Sequence, residues 1–145
     1  MTKLIFIRLP VLWNHELRYA GTKELNEALV SRFLVIDMPA QTEESLEFIF
    51  QRMFPNIKEN ARTQFIGVFL DLQLKATNSE ISTKPLDLRG LLAAMKIVET
   101  GLSPRKAVTM GVVNKTFDIF EKEIVEDIVK TRIPADWTRD DVYER

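Results

Sequence analysis

From Thr42 to Ile133 the apolar residues recur every three or four positions, in stretches separated by proline, glycine and asparagine, and this spacing restricts the segment to packed helices. Thr42 reads as an N-cap, with Glu43 and Glu44 in the first turn, where negative charge favours the helix dipole. Leu46, Ile49, Phe50, Met53 and Phe54 follow on one face, and Pro55-Asn56 breaks the helix. A second helix is expected over roughly Glu59 to Ala76, with Phe65, Val68, Phe69 and Leu72 as its stripe and Thr77-Asn78-Ser79 as a polar loop. Pro85 sits at a first helical position ahead of the stripe Leu88, Leu91, Leu92, Met95 and Val98, with Gly101 as the C-cap residue. Ser103-Pro104 starts a short helix through about Met110. The last helix, roughly Phe117 to Thr131, is expected to bury Phe117, Phe120, Ile124 and Ile128 and to end at Pro134, and the polar residues from Ala135 onward are expected to fray.

The start of the chain has a different pattern. Leu4 to Leu9 reads as a buried strand closed by Pro10, followed by a polar loop over Asn14 to Thr22 that bends at Gly21. Thr22 would cap a helix over Lys23 to Ser31 with Leu25, Ala28 and Leu29 on one face, and Phe33 to Met38 reads as a second strand ended by Pro39. Two such strands can pair, but the pair is marginal unless helices cover it. With 46% hydrophobic and 28% charged residues in 145, there is material for a core and a solvated surface. A net charge of -1 gives no basic bias toward nucleic acid. The absence of cysteine excludes disulfides, thiolate chemistry and cysteine-based zinc sites, and it fits a cytoplasmic location. Leu4 to Ile7, resuming at Leu9 to Trp13, is interrupted by Arg8 and falls well short of the ~20 residues of a membrane span. It has no small-residue cleavage site, so a signal peptide is not expected.

Two arginines are candidates for chemistry. Arg32 follows the polar helix and directly precedes a strand; it can serve as a dipole-compensating residue at a helix C-terminus or reach an anion on a neighbour. Arg89 lies in the first turn of the helix after Pro85; it can pair with Asp87 or Glu99, or contact a polyphosphate, which a guanidinium binds in a fork. His15, the sole histidine, stands beside Glu16 and reads as a surface residue; a Ser-His-Asp set could be built only around it, and no second histidine supports a metal. Glu121, Glu123, Glu126 and Asp127 read as a solvated helix face interleaved with Lys122 and Lys130. Arg105-Lys106 is too small a basic cluster for nucleic acid, and Phe48 and Trp137 are candidate exposed aromatics at a contact surface.

The stretch GTKELNEALVSRF (21–33), followed by LVIDMP, resembles the segment after sensor 1 in MoxR-type and dynein-related AAA+ ATPases. STKPLDLRGLLAAMKIVETGLSPRKAV (82–108) with MGVVNK (110–115) resembles their small helical lid, and together the likeness covers roughly residues 14–134. The resemblance implies a mainly α fold: a short β remnant of an α/β AAA+ core over residues 1–39, a helical-bundle lid over 40–134 and a polar tail over 135–145. It implies that Arg32 is a catalytic arginine finger offered in trans to an adjacent subunit. It implies that Arg89 is the sensor-2 arginine, a nucleotide-binding residue at the start of a lid helix. ATP and magnesium, an oligomer of neighbouring AAA+ subunits and a von Willebrand-type partner protein follow from the family, as does ATP-driven remodelling or maturation of protein complexes; nucleic acid and membrane do not.

The departures are equally informative. None of Gly21, Gly67, Gly90, Gly101 and Gly111 has the spacing of a GxxxxGK(S/T) phosphate loop. No apolar strand ends in the paired acidic residues of a Walker B. Asn14 aligns with the sensor-1 position, but LIFIRLPVLW before it is foreign to the family. The expectation is therefore a truncated AAA+ fragment, inactive alone, that supplies a finger and a lid. The alternative is a stand-alone helical protein-interaction module without nucleotide chemistry.

Overall fold

The computed structural model describes residues 2–7, 9–14, 34–37 and 39–144, and the chain divides into two compact units, Met1–Gln41 and Thr42–Arg145. In the first unit, β1 (Thr2–Ile7), β2 (Leu9–Asn14) and β3 (Leu34–Asp37) form a sheet in the order β2-β1-β3. Both pairings are antiparallel: Ile7 opposes Leu9, and Leu4 opposes Ile36. The expected pairing of the Leu4 strand with the second apolar run is thus present over Leu34–Asp37, and it is antiparallel. Pro10 does not close a strand; it lies within β2 opposite Phe6. Because β2 is an edge strand of this sheet, a missing amide there is tolerated. The helix expected over Lys23 to Ser31 lies outside the described residues, as do Arg32 and His15.

The second unit is helical. Helix α1 (Glu43–Met53) starts at Thr42 in a reciprocal cap: the Ser45 amide donates to Thr42 Oγ1 at 3.2 Å and the Thr42 amide donates to Ser45 Oγ at 3.0 Å. Leu46 and Phe50 carry its buried face, joined by Phe54, while Met53 turns outward. Helix α2 (Glu59–Thr77) buries Ile66, Gly67, Val68 and Phe69 in succession, so it is covered nearly all round and forms the centre of the unit. It packs against α1, α5 (Ile119–Arg132) and the short α6 (Arg139–Val142).

Helix α3 (Leu88–Glu99) begins later than Pro85 suggests, because Asp87 is its N-cap and Pro85 is buried in the preceding turn. Gly101 follows α3 at φ +111, a left-handed conformation that an L side chain rarely adopts. Helix α4 (Pro104–Gly111) has its proline in the first turn and leads through a 3-10 turn (Val113–Lys115) into α5.

Two expectations for the C-terminal part are overturned. Helix α5 buries Val125, Ile128 and Val129, whereas Phe117 and Phe120 are 88% and 79% exposed. The rotation is fixed by polar links at both ends. Glu121 accepts from the Ser82 amide at 2.8 Å and from its hydroxyl at 2.9 Å, and Arg132 forks onto Asp71 at 2.7 and 2.9 Å. Glu121 is therefore no part of a solvated face. The tail does not fray either. Val142 and Tyr143 are buried, and Tyr143 bridges to Ile57 as an antiparallel pair. Its hydroxyl donates to the Met95 carbonyl at 3.0 Å, and the Lys58 amide donates to Val142 O at 2.8 Å. Burial, with the Glu99 charge adding to it, raises the Tyr143 pKa and keeps the phenol a neutral donor.

Candidate functional site

The first turn of α3 carries the chemistry-bearing residue that the structure describes. Asp87 Oδ1 accepts from the Gly90 amide at 2.8 Å, which satisfies one of the free donors at the helix start. Asp87 Oδ2 accepts from Lys115 Nζ at 2.6 Å. Burial pushes the Asp87 carboxyl up, but the Lys115 hydrogen bond, the Gly90 amide and the charges of Lys115 and Arg89 outweigh it and hold the group below its ordinary value.

Arg89 stands between these anchors and is exposed. Asp87 hydrogen-bonds to Gly90 and Lys115 and feels Arg89 only through its charge; among the described residues no hydrogen bond or ion pair engages the Arg89 guanidinium. It is an exposed cation at a helix start, where amide dipoles also favour an anion. The glycine beside it has a second role. A Cβ on Gly111 would lie 2.5 Å from the Gly90 carbonyl oxygen, so α3 and α4 meet backbone to backbone at this turn. The sequence contained both glycines and Lys115 within the lid-like motif, but no local signal that they converge.

The other candidates resolve differently. Asn14 lies in β2 opposite Thr2. Arg105 is structural: its guanidinium donates to the carbonyls of Ile133, at 2.6 and 2.9 Å, and Lys130, at 3.1 Å, closing the C-terminal end of α5. Phe48 is exposed, whereas Trp137 is half-buried against the core. Sequence reading missed an open groove of about 340 Å³ between α2 and α5, lined by Leu74, Ile124 and Ile128 with Asp71, Lys75 and Asp127. Phe120 lies one helical turn before Ile124 on the same helix, and Phe117 and Ile119, close to it in sequence, are exposed as well. Among the described residues no group of three or more His, Cys, Asp or Glu is placed to hold a metal ion, and no helix is long and apolar enough to cross a membrane.

No protein-family profile matches the chain, and no solved structure matches it. Over 113 residues, or 78% of the chain, it is 33% identical to the uncharacterized protein YojN of Bacillus subtilis (strain 168), and the match spans 37% of that protein's length.

Proposed function

We propose that this chain acts as the lid and finger portion of a MoxR-type AAA+ ATPase, contributing to nucleotide handling in an assembly rather than hydrolysing ATP by itself. The observation that carries the reading is Arg89: an exposed guanidinium, free of described partners, on a capped turn at the place the lid resemblance assigns to sensor 2. The sequence has no glycine-rich phosphate loop, and the described residues offer no metal-holding carboxylate cluster. Arg32, outside the described residues, is assigned to a neighbour's nucleotide by the resemblance alone.

The test is a mixing experiment. The purified chain is mixed with YojN, and magnesium-dependent ATP turnover is followed for each protein alone and for the mixture. The chain alone is expected to be silent, the mixture to change rate, and Arg32→Ala to change the size of that effect. An unchanged rate at all ratios removes the reading.

A second reading, a protein-interaction module without nucleotide chemistry, is favoured by Phe117, Ile119 and Phe120, which are 88%, 71% and 79% exposed. Together they show roughly 400 Å² of apolar surface, about as much as the largest patch on an ordinary monomer. If Phe117→Ser/Phe120→Ser abolishes binding to the relative while Arg89→Ala changes nothing, this second reading replaces the first.

A further inference from the structure

We propose that Asp87, Lys115 and the Gly90–Gly111 contact form a positioning device that fixes the turn bearing Arg89; this rests on reading Arg89 as an anion-contacting residue. One carboxylate ties both flanks of Arg89. Asp87 precedes it by two positions and accepts from the amide of Gly90, which follows it, at 2.8 Å. The same carboxylate is held from outside by Lys115 at 2.6 Å, across 28 residues of chain.

The second restraint is steric. Gly111 ends α4 and abuts Gly90, so closely that a Cβ on either glycine would collide with the other's carbonyl oxygen. Contacts between backbones have no rotamers to absorb a displacement. The Arg89 turn and α4 therefore move as one body. Within Asp87-Leu88-Arg89-Gly90 only Arg89 is classed as exposed. The Cα is held while the guanidinium makes no hydrogen bond or ion pair among the described residues, an arrangement that lowers the ordering cost of meeting an anion. Lys115 is 55% exposed, but its ammonium is engaged by Asp87, which makes it a strap rather than a second ligand.

The experiment uses the whole ¹⁵N-labelled chain, with inorganic tripolyphosphate as the probe and amide hydrogen exchange at Gly90, without anion, as a separate readout. Wild type is expected to shift at Arg89, Gly90 and Leu91, and Arg89→Ala to abolish those shifts. Lys115→Met should weaken binding about fivefold, or about 1 kcal/mol, and should speed Gly90 exchange. Lys115→Arg should restore both. Lys106→Met removes the same charge from an exposed lysine and controls for simple electrostatics. Gly111→Ala should displace α4 and mimic Lys115→Met; should it fail to fold, the exposed Lys115 variants still decide.

Unchanged affinity and exchange in Lys115→Met, or an equal loss in Lys106→Met, overturns the positioning role alone. The absence of any tripolyphosphate shift in wild type overturns the anion reading of Arg89, and the positioning proposal with it.

Discussion

Phe120→Ser discriminates between two rotations of α5. If the helix buried Phe117, Phe120, Ile124 and Ile128, as simple periodicity suggests, truncating Phe120 would cost about 3–5 kcal/mol. In the structure Phe120 is 79% exposed, leaving about a fifth of its surface covered. A phenylalanine offers roughly 200 Å², so about 40 Å² is at stake, or ~1 kcal/mol at 25 cal/mol per Å². Val125, fully buried, provides the contrast: Val125→Ala deletes two methyl groups and leaves a cavity, for about 2–3 kcal/mol. Urea unfolding followed by far-UV circular dichroism reads both values, and in a helical unit of about this size each kcal/mol shifts Tm by roughly 4–8 °C. A loss above ~3 kcal/mol for Phe120→Ser, with Val125→Ala nearly silent, would refute the observed rotation and with it the apolar patch.

The docked tail gives a second test: Tyr143→Ala should lose about 3–5 kcal/mol and Tyr143→Phe only ~1, since the latter removes just the hydrogen bond to Met95 O; equal effects would show that the hydroxyl, not the ring, holds the tail. Asp87→Asn should lower stability by ~1 kcal/mol at neutral pH by weakening the Lys115 link. Because the folded carboxyl titrates below its ordinary value of 3.8, its contribution is complete above that pH and disappears as pH falls through the lower folded value. The gap between wild type and Asp87→Asn should therefore stay flat from neutral pH to about 5 and close below 4; a gap that closes between neutral pH and 5 would contradict the linkage. Gly101→Ala, at φ +111 with open space around it, should cost about 1 kcal/mol through backbone strain alone, read as a lowered urea midpoint with unchanged slope.

Much of the helical unit was legible because its signals are local. Thr42 and Pro104 mark helix starts through capping and a fixed φ, and the stripes of α1 and α3 need only the 3.6-residue period. What was illegible depends on distant partners. The face of α5 was misassigned because two apolar stripes share Ile128, and the choice between them is made by Glu121 reaching Ser82, 39 residues back, and Arg132 reaching Asp71, 61 residues back. Tyr143 looked like tail because its burial needs Phe54, Ile57 and Met95, which the periodicity of residues 135–145 does not encode. The candidate site divides the same way. Arg89 at a helix start was readable from Pro85 and the stripe after it, but the strap from Lys115 and the Gly90–Gly111 contact join elements that only the fold brings together.

The proposed trans role of Arg32 makes a quantitative prediction that separates it from mere inhibition. Suppose the chain takes a place in a ring of complete relatives. On the proposed reading its own nucleotide position contributes no turnover, since these 145 residues carry no phosphate loop. The wild-type chain still serves the next site with its finger, so each insertion silences one site. Arg32→Ala leaves that neighbouring site without a finger as well, lowering its turnover by about 10³–10⁵ and silencing it for practical purposes. Each insertion then removes two sites. At low occupancy the initial slope of ATP turnover against inserted fraction should therefore be about twice as steep for Arg32→Ala as for wild type, not thousands of times steeper. Insertion is measured independently by co-purification, so that a binding defect cannot pass for a catalytic one. Equal slopes at equal insertion would mean that Arg32 completes no neighbour's site, leaving Arg89 and the apolar patch as the chain's means of acting on an assembly.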